Sequence, residues 1–223
     1  METKIIKIDL QRPDESTPNL ASKIIKGGGI VSFPTDTLYA LGADATSEQA
    51  IKQLYKLKRK DRKEPVAIFI RNLEEANSYV EKVSLMAQYL MEEFWPGPLT
   101  LIFKSNSEKL RPILSETDKL GIRLSPNKFV TSLLERSGVP ITATSANISG
   151  RRASATASGV RYYFNNRIEL ILDGGRTQNP LPSTVVDVSS EQIVLLRAGA
   201  LPVDRLKSVL PRIKIQKQSP LGE

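Results

Sequence analysis

The amino-acid sequence predicts an α/β domain with a twisted, mixed open sheet, flanking helices and a concave basic site. Short apolar runs alternate with amphipathic segments along the whole chain, as strands and helices do in α/β proteins. The 223 residues suffice for one substantial core, and no internal repeat or low-complexity linker divides them. The formal net charge of +8 favours an anionic partner.

Strands and helices alternate in the first part of the chain. The pattern predicts strands at 4–10, 30–33 and 66–70, and helices at 17–26, at about 46–58 and from Asn72 onward. The first helix begins at Thr17 and Pro18 and stops at the glycines of 27–29, because proline suits a first helical turn and glycine a helix end. Thr46 with Gln49 predicts a capping box for the second helix.

The same alternation continues in the second part. Strands are expected at 99–104, 121–125, 140–144, 168–172, 183–188 and 193–198, and helices near 84–93, 127–137, 155–165 and 203–209. Residues 212–223 are polar and predict a tail, so the domain is expected over residues 1–211. Because both element types recur throughout, one domain is expected rather than two.

The chain contains neither cysteine nor histidine. This composition excludes thiol nucleophiles, disulfides, Ser-His-Asp triads, His-ligated zinc and an imidazole general base. The remaining polar residues suit phosphate and carboxylate chemistry, in which positioning and charge neutralisation carry most of the catalysis. No run of roughly 18 apolar residues occurs, and the start lacks the apolar region of a secretory signal. A cytoplasmic protein without a membrane partner is therefore expected.

Three polar clusters stand out, although the P-loop and G-x-G-x-x-G motifs are missing. They are "FPTDTLYALGADAT" (33–46), "KLKRKDRKEP" (56–65) and "ITATSANISG" (141–150). Each also has a structural interpretation: a turn after a strand, a solvated helix end, and a strand end with a tight turn. The glycines of 27–29 could cradle a phosphate, but a helix stop is the simpler interpretation.

The three clusters belong to a longer series of motifs along residues 14–202. The series reads "GGGIVSFPTDTLYALGADAT", "KLKRKDRKEPVAIFI", "WPGPLTLIF", "GIRLS", "TSANISG", "LDGG", "PSTVVDV" and "LLRAGAL". In this order the motifs resemble the YrdC/Sua5 family, the threonylcarbamoyl-AMP synthases that begin the threonylcarbamoyl-adenosine modification of tRNA. The resemblance implies one YrdC-like domain that converts L-threonine, bicarbonate or CO2, and ATP into threonylcarbamoyl-adenylate and pyrophosphate. Mg²⁺ would accompany ATP, and the product would pass to the machinery that transfers the threonylcarbamoyl group to tRNA.

The resemblance also implies roles for particular residues. The catalytic residues would be Lys58, Ser145 and Asn147. The residues that bind ATP would be Lys58, Lys60, Arg62, Thr144, Ser145, Asn147, Ser183 and Arg197. The residues that bind threonine would be Thr35, Thr37, Tyr39 and Arg123, and Asp187 is expected to hold neighbouring loops. The metal ligands are not implied.

Two positions depart from the family pattern. Lys60 stands where the Lys-x-Arg element has arginine, and Ser125 stands where proline is expected after "GIR". If the chain runs extended from Lys58, then Lys58, Lys60 and Arg62 share one face, and Arg62 can supply the missing guanidinium. If the segment stays helical, Arg59 and Arg62 share a face instead.

Three alternative functions follow from the same residues. One is a YciO-type paralogue that binds a nucleotide but has weak or different activity. Another is a non-catalytic module for double-stranded RNA or tRNA, which predicts salt-sensitive RNA affinity. A Ser-Lys hydrolase built on Ser145 and Lys58 is chemically feasible, but it leaves the other clusters unexplained.

Overall fold

The computed structural model describes residues 2–10, 14–60, 65–114 and 118–216. Within these ranges the chain forms twelve strands, seven α-helices and one 3-10 turn at Glu108–Leu110. The strands are β1 (Lys4–Lys7), β2 (Val31–Pro34), β3 (Tyr39–Gly42), β4 (Ala67–Phe69), β5 (Leu99–Lys104), β6 (Lys119–Arg123), β7 (Ile141–Thr142), β8 (Thr144–Ser145), β9 (Leu170–Asp173), β10 (Thr184–Asp187), β11 (Val194–Arg197) and β12 (Lys214–Ile215). The helices are α1 (Ser16–Lys26), α2 (Glu48–Lys58), α3 (Leu73–Ala76), α4 (Leu85–Phe94), α5 (Lys128–Ser137), α6 (Ala157–Phe164) and α7 (Val203–Val209).

The described strands form two mixed sheets. One has the order β1-β9-β2-β3-β8, and the other has the order β12-β11-β10-β5-β6-β4-β7. Each contains both kinds of pairing: β2 is parallel to β9 and antiparallel to β3, and β5 is parallel to β10 and antiparallel to β6. The predicted α/β class with mixed pairing is confirmed, but the strands divide between two sheets instead of forming one.

The segment predicted as one strand at 140–144 connects the two sheets. Ile141 and Thr142 pair with β4, whereas Thr144 and Ser145 pair with β3 of the other sheet. Between them, the backbone N–H of Ala143 donates to the carbonyl of Ala67 at 2.6 Å. The chain therefore crosses from one sheet to the other just before the third polar cluster turns into its loop.

Strand β3 is missing from the sequence prediction. Its sequence, Tyr-Ala-Leu-Gly, carries no β-branched residue, so its strand propensity is weak. All four residues are buried, and they pair with β2 across the short turn of the first polar cluster. Tertiary pairing determines this strand.

The helices lie close to their predicted ranges, with corrections at two N-termini. The capping box at Thr46 and Gln49 is wrong, since the hydroxyl of Ser47 caps α2 by accepting from the N–H of Ala50. Thr46 instead bonds to the carboxylate of Asp44. Helix α1 begins at Ser16 rather than at Thr17.

The glycines of 27–29 end α1, as expected. The N–H of Gly27 bonds to the carbonyl of Lys23 at 3.0 Å. Gly28 has a φ of +84°, a left-handed conformation that glycine adopts at little cost.

Two hydrophobic clusters support the sheets. In the smaller one, Phe33 lies 6.2 Å from Phe69 and 5.9 Å from Phe129, measured between ring centres in tilted pairs. The larger one fills the space around the seven-stranded sheet and α2, α4 and α6. Strand β12, inside the predicted tail, pairs in parallel with β11, and residues 217–223 lie outside the described ranges. In the part of the chain that is described, no helix is long and apolar enough to cross a bilayer.

Candidate active site

A cavity of about 1340 Å³ lies between the two sheets. Its floor is one face of the seven-stranded sheet, because alternate residues of neighbouring strands point into it. These floor residues are Ala67 and Phe69 on β4, Gly121 and Arg123 on β6, Thr100 and Ile102 on β5, Val185 and Asp187 on β10, and Val194 and Leu196 on β11. The walls come from the three polar clusters and from residues 180–183.

The cavity brings the predicted site residues together. Those that line it are Thr35, Thr37, Tyr39, Lys58, Lys60, Arg123, Thr144, Ser145, Asn147, Ser183 and Arg197. Arg62 falls outside the described residues, so its predicted position is not tested. The individual roles of these residues remain predictions.

The first polar cluster forms a closed hydrogen-bond network. The hydroxyls of Thr35 and Thr37 lie 3.1 Å apart, and the hydroxyl of Thr35 donates to the carbonyl of Leu38 at 2.7 Å. The guanidinium of Arg123 donates to the hydroxyl of Thr37 at 2.9 Å and to the carboxylate of Asp36 at 2.6 Å. The turn after β2 is therefore held in one conformation from the floor of the cavity.

Asp36 explains one departure from the family pattern. The hydroxyl of Ser125 donates to its second carboxylate oxygen at 2.7 Å, so the residue that replaces the expected proline belongs to the network. Sequence reasoning missed Asp36, because Arg123 and Ser125 are distant in the chain. Its only sequence signal is its place between Thr35 and Thr37.

Arg123 and Arg197 approach each other from different strands. Burial lowers the pKa of Arg123, and the charge of Asp36 partly offsets this effect. Burial lowers the pKa of Arg197 as well, and the nearby charge of Arg123 lowers it further. Arg197 donates through Nε and Nη2 to the carbonyl of Ser183 at 3.1 and 2.9 Å. Because these cations repel each other, their shared region favours an anion.

Tyr39 uses its hydroxyl inside the protein. The hydroxyl donates to the carbonyl of Gly175 at 2.7 Å and accepts from the N–H of Gly174 at 3.2 Å. Burial and the nearby carboxylate of Asp173 raise the pKa of this hydroxyl to about 12. Tyr39 thus ties the "LDGG" loop to β3.

Lys58, Ser145 and Asn147 form a connected unit. The ammonium of Lys58 donates to the backbone carbonyls of Ser145 and Asn147, the latter at 2.9 Å, and to the side-chain oxygen of Asn147 at 3.3 Å. The hydroxyl of Ser145 donates to that same side-chain oxygen at 2.6 Å. Lys58 is only 3% exposed, so it supports the loop from beneath.

The end of α2 sends alternate residues toward the cavity. Lys58 is its last helical residue, and Arg59 adopts a left-handed conformation with a φ of 51°. Lys58 and Lys60 line the cavity, and Arg59 does not. The ammonium of Lys60 donates to the carbonyl of Pro65 at 3.1 Å.

The structure adds further charged residues to the cavity lining. Arg151 and Arg152 follow the third polar cluster and are exposed. Lys119 and Asp187 form an ion pair of 2.7 Å. Burial acts to raise the pKa of Asp187, but bonds from Lys119 and Ser189 outweigh it and hold that pKa below its usual value. Arg151 and Arg152 could have been predicted as site residues, because they directly follow "ITATSANISG" in the sequence.

Known proteins match this chain over most of its length. The Sua5/YciO/YrdC family model, described as "Telomere recombination", matches residues 23–199. The threonylcarbamoyl-AMP synthase of Pyrococcus abyssi is 36% identical over 205 residues, which are 92% of this chain and 60% of that protein. The chain therefore spans less than two thirds of this relative.

Solved structures agree with the fold. The crystal structure of P. abyssi Sua5 complexed with L-threonine gives a TM-score of 0.91 at 36% identity, covering 96% of this chain and 63% of that one. Escherichia coli YciO gives a TM-score of 0.82 at 26% identity, covering 89% of this chain and 96% of that one.

Proposed function

The chain belongs to the Sua5/YciO/YrdC family, and on this premise we propose that it is a threonylcarbamoyl-AMP synthase. The observation that carries the proposal is the single cavity that joins a hydroxyl and guanidinium network to a cation-supported loop. The P. abyssi relative with this name and the L-threonine complex of its structure support the substrate assignment.

The reaction makes two bonds in sequence. The amine of L-threonine attacks CO2 and loses a proton, which gives a carbamate. A carbamate oxygen then attacks the α-phosphorus of ATP in line, and pyrophosphate leaves as the bond to the β-phosphate oxygen breaks. Because carbamate, triphosphate and leaving group are all anions, positioning and charge neutralisation supply the catalysis.

The network of the first polar cluster suits the amino acid. We assign Thr35, Thr37 and Arg123 to L-threonine, with Arg123 near its carboxylate. Arg123 is 6% exposed and is already oriented by Asp36, so it is preorganised in a low-dielectric site. The hydroxyl of Tyr39 is engaged with the "LDGG" loop, so Tyr39 contributes by shaping this end of the cavity.

The other walls suit the nucleotide. Lys58, Ser145 and Asn147 hold the loop that would face the phosphates, and Lys60 and Thr144 flank it. Arg197, fixed by Ser183, lines the opposite side of the cavity and would contact the nucleotide there. Arg62 remains a candidate for the missing guanidinium of the Lys-x-Arg element.

Mg²⁺ would reach this site together with ATP. Among the described residues, no group of three or more acidic side chains could form a cage for a metal ion. The carboxylate that lines the cavity, Asp187, is paired with Lys119, and Asp36 beside the network is paired with Arg123. Mg²⁺ commonly binds through substrate phosphates and water with few protein ligands, and the residues present fit that mode. The ion would neutralise charge on the phosphates.

The product is a reactive mixed anhydride that needs an acceptor. We assign its use to the cytoplasmic machinery that transfers the threonylcarbamoyl group to tRNA. The exposed arginines beside the cavity are compatible with contact to tRNA or double-stranded RNA.

Pyrophosphate release tests the function directly. The protein is incubated with ATP, L-threonine and bicarbonate, and each substrate is omitted in turn. We expect release to require all three, and L-serine to replace L-threonine poorly because one methyl group in a pocket is worth roughly 1 kcal/mol. Release that is unchanged without threonine would remove the synthase assignment.

A YciO-type activity is the second candidate, because the chain also matches E. coli YciO and carries Lys60 in place of arginine. It predicts ATP binding without threonine-dependent turnover. Lys60→Arg distinguishes the two: a synthase should retain or gain activity, since arginine restores the bidentate fork.

A further inference from the structure

The start of helix α5 is fastened to the turn that follows β2. The side-chain amide of Asn127 donates to the carbonyl of Pro34 at 3.1 Å, and its oxygen caps α5 by accepting from the N–H of Phe129 at 2.9 Å. The ring of Phe129 packs against Phe33, with the ring centres 5.9 Å apart. Ser125, two residues before Asn127, therefore approaches this turn from a backbone held by a hydrogen bond and by ring packing.

The hydroxyl of Ser125 directs its one hydrogen at Asp36. It accepts from the N–H of Asn127 at 3.3 Å and donates to Oδ1 of Asp36 at 2.7 Å. Ser125 is 4% exposed and the side chain of Asp36 is 16% exposed, so little water competes for this bond. Hydrogen bonds to a charged oxygen are about twice as strong as neutral ones. Ser125 therefore holds one oxygen of this carboxylate in a fixed place.

Arg123 contacts the other oxygen of the same carboxylate. Its Nη2 donates to Oδ2 of Asp36 at 2.6 Å. Its Nη1 donates to the hydroxyl of Thr37 at 2.9 Å, and its Nε donates to the carbonyl of Gly97 at 3.3 Å. A guanidinium carries five N–H groups. Within the described ranges three of them have these partners, so two remain for a ligand in the cavity that Arg123 lines.

The bond from Ser125 decides how Asp36 meets Arg123. Guanidinium and carboxylate groups favour a fork in which two parallel N–H groups meet two oxygens. Without a donor on Oδ1, the carboxylate would be free to rotate toward that fork. It would then take up a further N–H group of Arg123 and neutralise more of its charge. Contact through a single oxygen preserves both for an anionic ligand.

We propose that Ser125 is a positioning residue for the carboxylate of the amino-acid substrate. By holding one oxygen of Asp36, it keeps Arg123 in single-oxygen contact and leaves the remaining N–H groups of Arg123 to the substrate. This inference rests on the proposed function, which assigns Arg123 to L-threonine. The proline expected at this position has no hydroxyl, so this control of Asp36 requires a hydroxyl residue at position 125.

The experiment measures the affinities for L-threonine and for ATP separately. Calorimetry compares the wild type with Ser125→Ala, which removes the hydroxyl, and with Ser125→Thr, which retains it. The matched control is Ser137→Ala, because Ser137 is also buried, donates to the carbonyl of Leu133 at the same 2.7 Å and does not line the cavity. Pyrophosphate release gives kcat and the KM for threonine of the same proteins.

Ser125→Ala should bind L-threonine about fivefold to tenfold more weakly and ATP within about twofold of the wild type. Its KM for threonine should rise, and kcat should change by less than about twofold, because the carboxylate contact is the same in the ground state and the transition state. Ser125→Thr and Ser137→Ala should bind threonine as the wild type does. An unchanged threonine affinity in Ser125→Ala overturns the inference, as does an equal loss for threonine and ATP.

A second pair of variants tests whether Ser125 acts through Asp36. Asp36→Asn has a single side-chain oxygen and cannot form the two-oxygen fork with Arg123. Adding Ser125→Ala to Asp36→Asn should therefore weaken threonine binding by less than about twofold, whereas independent effects would multiply. A full further loss overturns the inference. If Ser125→Ala does not fold, Ser125→Pro should show the same selective loss for threonine, and an unchanged affinity would overturn it equally.

These outcomes are separate from the test of the function. Threonine-dependent pyrophosphate release with an unchanged threonine affinity in Ser125→Ala would keep the synthase and discard the role of Ser125. Threonine binding that Ser125→Ala weakens, without threonine-dependent release, would keep that role and discard the synthase.

Discussion

Lys58 donates to the backbone carbonyl of Asn147 at 2.9 Å, although 89 positions separate the two residues in the chain. The N–H of Ser149 returns a bond to the backbone carbonyl of Lys58 at 2.8 Å. The end of α2 and the third polar cluster therefore form one unit, joined by the side chain and by the backbone of the same residue. A cation in this place holds the loop and adds positive charge beneath it.

The first prediction concerns Lys58→Met. Hydrogen bonds to a charged group contribute roughly 1.5–3 kcal/mol each, so the variant should lose roughly 2 kcal/mol of stability or more. Turnover should also fall, because the loop loses its support and the site loses a charge. Lys56→Met is the control, since Lys56 is exposed on the same helix. Thermal unfolding and pyrophosphate release measure both effects, and equal behaviour of the two variants would contradict this account.

The second prediction compares Asn147→Ala with Ser145→Ala. The amide of Asn147 donates to the carbonyls of Ile148 and Arg151 at 3.1 and 2.6 Å, so its loss leaves two acceptors without this donor. We expect each variant to reduce turnover by about tenfold or more, and Asn147→Ala to reduce the melting temperature further. If both variants melt early but are fully active when folded, Ser145 and Asn147 serve only to stabilise the turn and do not contribute to catalysis.

The third prediction concerns Tyr39→Phe. The hydroxyl bonds to groups of the protein itself, chiefly in the "LDGG" loop, so its removal should lower the free energy of unfolding by about 1–3 kcal/mol. The KM for threonine should change by less than about twofold, since no substrate bond is removed. Ser32→Ala is a suitable control, because it removes another buried hydroxyl. A large change in KM with unchanged stability would instead place the hydroxyl on the substrate.

The approximate ranges of the helices could be predicted from sequence, because apolar spacing and most cap residues are local signals. Helix α7 matches its expected range, and Asn72 caps α3 by accepting from the N–H of Glu75. Strand β3 could not be predicted, since only pairing with β2 and β8 makes a strand of it. The division into two sheets also depends on pairing between distant segments, which no local pattern encodes.

In the site, too, local sequence motifs could predict which residues take part but not the bonds that they form with distant residues. The family motifs identified the residues that line the cavity, because those residues are marked by their neighbours in sequence. The bonds of Lys58 and the network of Asp36 depend on partners more than 80 positions away. The charge of Lys58 alone could not predict its bonds to the third polar cluster, since a lysine at a helix end is usually solvated.

The fourth prediction concerns the pH dependence of stability through Asp187. Its pKa in the folded protein lies below the ordinary value of 3.8, which the unfolded chain should have. Protonation therefore favours the unfolded state: the contribution of this carboxylate is present above about pH 4 and is lost as the pH falls through the folded pKa. Asp187→Asn should lower the melting temperature at pH 7, and the difference should shrink below about pH 4. A difference that is constant from pH 3 to 7 would contradict the account, because an uncharged contact has no such dependence.

The last prediction concerns Arg151 and Arg152, the exposed cations at the edge of the cavity. Asn147 fixes the turn that precedes them, so their side chains start from a defined backbone beside the expected phosphates. Arg151→Ala and Arg152→Ala should each weaken ATP binding by about threefold to tenfold, with little change in melting temperature, because exposed charge contacts are worth roughly 1 kcal/mol. Arg161→Ala is the matched control, since Arg161 is an exposed arginine on α6 and does not line this cavity. The loss should become smaller as the salt concentration rises, since salt screens exposed charges. Titration of ATP at several salt concentrations measures this dependence. A loss equal to that of Arg161→Ala, or one that salt does not change, would remove both arginines from the nucleotide site.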